Sequence, residues 1–476
     1  MKPAGRQLIL RHLLMNFLLL VIDSLRADRL SCYGYRRPTT PNLDALAAAG
    51  VLFENFFTPV TPTQPAITTL FTGQTPLTHR IFAQSGRNHL RADAPWLPEL
   101  LASHGYATAA IDNLALGKKW FRRGFRDYHA MADLESGEAR HLRCTDFNRE
   151  AAAWLKEHAA EPFFLYLRYG DPHTPYAAPA PYADLFYEGD PTVRNSGSLD
   201  AFYAQPLKSY LVEDWLAPAA QAIDGAAGRR IEDIEWCRAQ YDAEVRFADD
   251  GVAELLRHLE SAGVAENTAV IVVGDHGESL GEHGIYFEHH GLYDCTIRPP
   301  LIIRWPAGTT NTRRVAAATQ LSDIAPTILE MAGLPIPDAF EGSSLVPLMR
   351  GETRRHVYEQ IVCCEATWMC KWAWIENGRK LIIAREPDIY GKPPLELYDL
   401  NSDPREETNL VTADADLARE MLGRFEHWLA QQLAKTGETA DPLREHGSVR
   451  AQLLRPPSLR KKFSRSVKRW CRKVWS

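Results

Sequence analysis

Cysteine is scarce: eight residues in 476, and no two of them form a C-x-x-C pair. This argues against a disulfide-stapled scaffold, which a chain long enough to bury its own core does not need, and favours reduced thiols in a cytoplasmic protein. Cys363, Cys364 and Cys370 stand close together, but no histidine lies near them, so strand packing accounts for them better than a metal site does. Internal repeats are absent. The net charge of −6 excludes a general polyanion binder, and outside the last eighteen residues no basic platform exists for nucleic acid. One apolar run near the amino terminus follows Lys2, Arg6 and Arg11 and looks like a leader, yet no small-residue cleavage site follows and Asp23 ends it. Its residues 16–22 read as a short buried strand, with Met15 as an alternative start, so neither export nor a membrane span is expected.

The composition that is present, 45% hydrophobic and 24% charged, fits a globular enzyme with one large α/β unit and a smaller one. From Asn16 to about Gly333 apolar strand-like runs (NFLLLVID, ATAAID, PFFLYLRYGD, NTAVIVVGDHGE, PLIIRW) alternate with helical ones (NLDALAAAGV, APWLPELLASHG, and residues 236–263). Such alternation predicts a mostly parallel sheet flanked by helices, with ligands bound beyond the carboxyl ends of the strands. After Gly342 the runs around Glu376-Asn377-Gly378 predict a small antiparallel sheet, followed by a helix over 414–432. The expected organisation is an extension over 1–15, a catalytic α/β domain over 16–342 with an insertion at 186–230, a small α+β subdomain over 343–440, and a basic tail over 441–476. The insertion reads either as a wall of the substrate pocket or as a surface excursion.

Three aspartates, Asp23, Asp171 and Asp275, follow apolar runs at strand ends, where carboxylates are well placed to hold a cation. A single strand-end aspartate more often caps a helix. Asp275, however, is followed by His276, Gly277 and Glu278, and then by Glu282, His283, Glu288, His289 and His290, the densest cluster of histidine and carboxylate in the chain. A lone histidine is usually a core residue. Within this cluster His276 reads as a ligand, whereas His283 and His290 read as solvent-facing loop residues.

These motifs resemble the sulfatase branch of the alkaline phosphatase superfamily. The run IDSLRADRLSCYGYRRPTTPNLDALAAAGVLFENFF is similar to the opening of sulfatases, GDHGESLGEHG and GLYDCTIRPPLIIRWP to their late metal-binding strand, and SDIAPTILEMAGLPIP and LYDLNSDPREETNL to their closing motifs. The resemblance implies the alkaline-phosphatase-like α/β fold with a small C-terminal sheet, and one or two divalent metals (Ca, Mn or Zn) held by Asp23, Asp275 and His276. It also implies a nucleophile at the start of a helix. In sulfatases that nucleophile is a Cys or Ser oxidised to formylglycine and followed by x-Pro-Ser-Arg. Here Thr63 takes the slot, Pro65 matches the motif proline and Ile67 replaces the arginine, so no formylglycine is expected. The Gly-Lys-Trp-His motif is also missing, with Asp112-Asn113 near its place, and Asn113 becomes a substrate-contact candidate. The segment Tyr169–Tyr176 resembles the Pro-His-x-Pro stretch of sulfatases, whose histidine contacts substrate, so His173 is expected either to bind a non-bridging oxygen or to protonate the leaving group. Asp171 and His289 are the candidate ligands of a second metal, and Thr63 also joins the metal site.

A threonine cannot collapse to an aldehyde, so its ester must be hydrolysed at the transferred centre by a second activated water. That favours phosphate or phosphonate esters over sulfate. The leading expectation is a metal-dependent ester hydrolase acting on a small-molecule or glycan- or lipid-linked anionic ester. The alternatives are a phosphoryl-headgroup transferase on the same scaffold and a non-catalytic binding relative. As a helix N-cap, Thr63 would be equally at home. Leu459, Phe463, Val467, Trp470 and Val474 recur at helical spacing among eight basic residues, a pattern that fits either contact with an anionic membrane or docking on the protein's own acidic face.

Overall fold

The computed structural model describes residues 15–131, 142–193, 197–205, 211–224, 229–306, 308, 312–354 and 358–454. Most of the amino-terminal extension and the amphipathic pattern from Leu459 to Val474 lie outside the described residues. In chain order the strands are β1 (Asn16–Ile22), β2 (Val51–Phe57), β3 (Val60–Thr61), β4 (Ala107–Asp112), β5 (Asp127–Ala130), β6 (Phe163–Tyr169), β7 (Thr268–Gly274) and β8 (Ser279–Leu280). They continue with β9 (Tyr286–Glu288), β10 (Leu301–Arg304), β11 (Arg313–Gln320), β12 (Ile361–Glu365), β13 (Lys371–Glu376), β14 (Arg379–Ala384) and β15 (Leu395–Asp399). The helices that matter for the site are α1 (Pro41–Ala48), α2 (Thr63–Thr72), α3 (Leu97–Ser103), α4 (Cys144–His158), α5 (Ile234–Ser261), α6 (Ile324–Met331) and α7 (Ala415–Thr436).

Eight strands form one sheet in the order β11-β2-β10-β7-β1-β6-β4-β5, and every neighbouring pair is parallel except those made by β10. Central β1 explains why its sequence lacks polar alternation: Phe17, Leu19 and Val21 enter the core on one face, Leu18, Leu20 and Ile22 the core on the other. Fully burying each such side chain contributes about 1.5–3 kcal/mol. The long helix α5 starts where the Asp233 carboxylate accepts the Glu235 N–H and stops before Gly263, whose positive φ suits a helix end.

A second sheet, β15-β14-β13-β12-β3, is antiparallel apart from the β12–β3 pair. Its β13–β14 hairpin turns through Asn377 and Gly378, both at positive φ. One face, with Trp372, Trp374, Leu381 and Ile383, packs on α7. The other, with Ala373, Ile375 and Ile382, packs on Phe57, Ile285 and Tyr293 of the large unit. Cys363 and Cys364 are buried free thiols of β12, one on each face, as strand packing requires. Residues 441–454 do not begin a separate tail. Leu443 and Val449 are buried in the cluster beneath α7, and the Asp441 carboxylate accepts from Trp372 Nε1 and Arg385 Nε. The described part of 186–230 covers the large sheet with Phe202, Trp215 and Leu216. No helix among the described residues is long and apolar enough to cross a membrane.

Candidate active site

The carboxyl ends of β1 and β7 lie side by side, so Asp23 and the Asp275-His276 pair leave the sheet together. The chain turns sharply after Asp23: Ser24 adopts a left-handed φ of 59°, a strained conformation for a residue with a side chain. The turn aims the Ser24 N–H at Asp275 Oδ1 (3.3 Å), and Tyr241 of α5 holds it by donating its hydroxyl to the Ser24 carbonyl (2.8 Å). After His276 only a glycine fits, because a Cβ on Gly277 would lie 2.0 Å from the Cys295 carbonyl oxygen.

The third contribution comes from the smaller sheet. The two-residue strand β3 pairs with β12 and delivers the chain directly into α2, so that Thr63 stands at the helix start between the two sheets. Pro62 occupies the N-cap position, which corrects the capping alternative for Thr63. The Thr63 hydroxyl lies 3.2 Å from His276 Nε2 and 3.5 Å from both carboxylate oxygens of Asp23. It sits at the positive end of the α2 dipole, a position that favours an anion.

Ligand atoms of Asp23, Asp275 and His276 all fall within 4.8 Å of one another, and all three residues are buried. His276 Nδ1 lies 2.9 Å from the Gly277 carbonyl, which fixes the proton on that nitrogen and leaves the Nε2 lone pair facing inward. Asp275 Oδ2 is buried, accepts no hydrogen bond from any of the described residues and lies 3.5 Å from His276 Nε2. Acceptor facing acceptor in a dry site, with two hard oxygens and one imidazole nitrogen, is a donor set that fits a divalent cation. Burial and the neighbouring Asp23 push the Asp275 carboxyl up to about 6. For Asp23 burial alone would raise the pKa, but the positive charges of His173 and Arg168 outweigh it and hold the carboxyl below its usual range.

His173 is half-buried beside the same cluster, its ring 5.6 Å from that of His289. Burial disfavours its charged form, yet Asp23 and Glu278 overcome this and raise its pKa above the ordinary imidazole value. Its Nδ1 is tied to the Thr174 carbonyl at 2.6 Å. His289 joins as well, with its ring 4.6 Å from His276 and 5.6 Å from His173, and Nδ1 is 3.4 Å from Glu278 Oε2. Burial and the adjacent His276 push its pKa well below the usual value, so His289 is neutral. Glu278 in turn accepts from Tyr176 (2.9 Å), on which Trp215 of the insertion packs edge-on; that segment therefore backs the site from behind.

Two expectations need correction. Asp171 does not join the cluster: its carboxylate accepts the Cys144 N–H that opens α4 (2.8 Å) and lies 3.6 Å from Arg143. It is a helix-capping aspartate, the commoner fate of such a residue. His283 and His290 are not solvent-facing, since His283 is half-buried and stacks on Tyr293 while His290 is buried beside Glu288 (3.2 Å) and Trp368. Neither belongs to the Asp23-Asp275-His276 cluster.

The sequence reading also missed Arg168. From β6 its guanidinium donates to Asp23 Oδ2 (2.6 Å), to Asp112 Oδ1 (3.0 Å) and to Asn113 Oδ1. Asn113 thus stands at the site, but as an acceptor for Arg168. The available signal was a charged residue near the tip of an otherwise apolar buried strand, where it must have partners. Arg168 supplies a fixed positive charge beside Asn113 and Asp23.

A mostly parallel sheet with a carboxylate and imidazole cluster at its strand tips, facing a hydroxyl at a helix start, defines a class of ester hydrolases with an alkaline-phosphatase-like fold. Residues 15–334 match the Sulfatase family, and residues 281–432 match the family described as N-sulphoglucosamine sulphohydrolase, C-terminal. The chain belongs to the sulfatase family, and it is a sulfatase-like ester hydrolase. It is 28% identical over 398 residues to the multifunctional alkaline phosphatase superfamily protein PehA of Trinickia caryophylli, covering 70% of this chain and 77% of that one. To the N-acetylglucosamine-6-O-sulfatase of Bacteroides thetaiotaomicron it is 26% identical over 469 residues, covering 83% and 82%. The crystal structure of the phosphonate monoester hydrolase of Agrobacterium radiobacter superposes with a TM-score of 0.69 over 89% of this chain and 96% of that one, at 23% identity, and so shares the fold.

Proposed function

We propose that the protein is a metal-dependent hydrolase of phosphate or phosphonate esters, with sulfate esters as poorer substrates, in which Thr63 is the nucleophile. One observation carries this reading: the Thr63 hydroxyl lies within 3.2–3.5 Å of His276 and Asp23, at the start of a helix and at the edge of the Asp23-Asp275-His276 cluster. Asp23, Asp275 and His276 would hold the divalent cation, which lowers the pKa of the hydroxyl and screens the oxygens of the transferred group. Thr63 Oγ1 attacks phosphorus, the bond to the leaving oxygen breaks, and His173, protonated because Asp23 and Glu278 face it, supplies the proton that oxygen needs. The threonyl ester is then cut at phosphorus by water, which restores the hydroxyl. A threonine offers no second oxygen for the elimination open to a formylglycine hydrate, and this disfavours sulfate. His289, the expected ligand of a second cation, is neutral and would either hold that cation or accept from the attacking water.

Arg168 holds Asp23 and Asn113 and acts as a positioning residue. The test is a paired assay of aryl sulfate, phosphate monoester, phosphate diester and phosphonate substrates with Mn²⁺, Zn²⁺ and Ca²⁺ each supplied. A phosphate or phosphonate ester turned over faster than the sulfate supports the reading, and a strong preference for sulfate overturns it.

A further inference from the structure

The loop that carries His173 is poor in backbone donors, because Pro172 and Pro175 stand on either side of the histidine and neither has an N–H. Side chains hold its two ends instead. At the front Asp171 accepts the Cys144 N–H, as described above. At the back Glu244 Oε1 accepts the Ala177 N–H (2.7 Å), while Arg143 donates to the Ala177 carbonyl. Arg143 also donates to Glu244 Oε1 (3.1 Å), lies 3.6 Å from Asp171 Oδ1 and rests on the Phe247 ring at 5.8 Å from its centre. One guanidinium and two carboxyl groups thereby tie the ends of the loop 171–177 together.

Glu244 is buried, and its Oε2 accepts from no donor among the described residues. The Glu244 and Asp171 side chains are in hydrogen-bond contact, which two carboxyl groups achieve only by sharing a proton. Burial and then the charge of Asp171 push Glu244 up to about 8, so Glu244 carries that proton at neutral pH. Glu244 also lies one helical turn from Tyr241 on α5, and Tyr241 donates to the Ser24 carbonyl beside Asp23. A single helix thus ties down both the turn after Asp23 and the loop that carries His173.

We propose that Glu244, together with Arg143 and Asp171, is a positioning residue for the reaction: it holds the loop 171–177 so that the His173 imidazole stands against Asp23 and Glu278. The assignment rests on the hydrolase reading above, with His173 as the acid, and adds the groups that aim it. Glu244→Gln keeps an oxygen for Ala177 and Arg143 and offers an N–H to Asp171, so kcat on alkyl phosphate and phosphonate esters should stay within about twofold of native. Glu244→Ala should lower that kcat by roughly 10- to 100-fold, the order expected when a reacting group is misplaced by about 1 Å, and should spare 4-nitrophenyl esters. Arg143→Ala, at a partly exposed position that the fold tolerates more readily, should show the same split. Adding Glu244→Ala to His173→Gln should cost no further rate, because both act through one imidazole. A readout without turnover is the His173 ring titration, followed by NMR in the Zn²⁺-loaded full chain. It should move by about half a pH unit or more in Glu244→Ala and keep its native position in Glu244→Gln. Additive losses in the double variant, an unmoved His173 titration in folded Glu244→Ala, or a Glu244→Gln as slow as Glu244→Ala overturns the assignment. So do equal losses on both ester types in Glu244→Ala where His173→Gln shows the split. If His173→Gln itself slows both ester types equally, the acid role falls, and a titration that moves in Glu244→Ala but not in Glu244→Gln leaves the positioning role standing.

Discussion

Thr63 brings a methyl group as well as a hydroxyl, and the hydroxyl is the only atom of the side chain able to bond to the transferred centre. Thr63→Ala should therefore lower kcat by roughly 10³-fold or more with the fold retained, as for loss of a nucleophile; near-native kcat in the variant would mean another group attacks. His173 carries a pH signature. Its pKa is raised above the ordinary 6.5, so the imidazolium persists beyond that pH and is lost only as the pH rises through the raised value. Esters with poor leaving groups should lose rate along that limb, and His173→Gln should cost them roughly 10²-fold or more while sparing 4-nitrophenyl esters. Equal losses on both substrate types would remove His173 from the role of acid. Asp275 sets the opposite limb: as pH falls through about 6 the carboxyl gains a proton and cation capture weakens, which a calorimetric metal titration against pH would read. Arg168 is an ion-pair residue in a dry site, so Arg168→Met should destabilise the protein by about 3–5 kcal/mol in urea unfolding, because it strands Asp23 and Asp112. A change within error would show that those carboxylates are compensated elsewhere.

At the level of elements, the strands that carry the site were readable because parallel strands buried on both faces show as unbroken apolar runs; β1, β4, β6 and β7 all did. The long helix α5 was readable from its period, and the β13–β14 hairpin from Asn377-Gly378. Two features were not. Strand β10 runs antiparallel between β2 and β7, and direction leaves no mark on an apolar run. The fate of Asp171 depended on a helix, α4, that begins far away in sequence, so a strand-end aspartate bound for a cap and one bound for a cation look alike. The site triad was legible because its members are adjacent to strands or to one another, whereas Arg168 acquires meaning only from two neighbouring strands. Gly277 tests the element that positions Asp275 and His276. Gly277→Ala should cost about 1–3 kcal/mol of stability by overpacking against Cys295 and reduce cation affinity with it. Native metal binding in that variant would show the backbone can yield there.

On the scale of the whole molecule the residues 441–454 belong with the small sheet, and their removal should lower the melting temperature rather than free a domain. Cation binding should act in the same sense: at a hundredfold excess over Kd it contributes about 2.7 kcal/mol, so chelation should lower the melting temperature and metal should restore it. No change on chelation would remove the cation from the folded state. The short strand β3 adds a constraint on motion. Because the residues immediately before Thr63 are hydrogen-bonded into the smaller sheet while Asp23 and Asp275 issue from the larger, any clamshell opening of the two lobes would pull the hydroxyl off its ligands. For Thr63 to reach Asp23 and His276, the two sheets must stay packed as they are along Phe57, Ile285 and Tyr293.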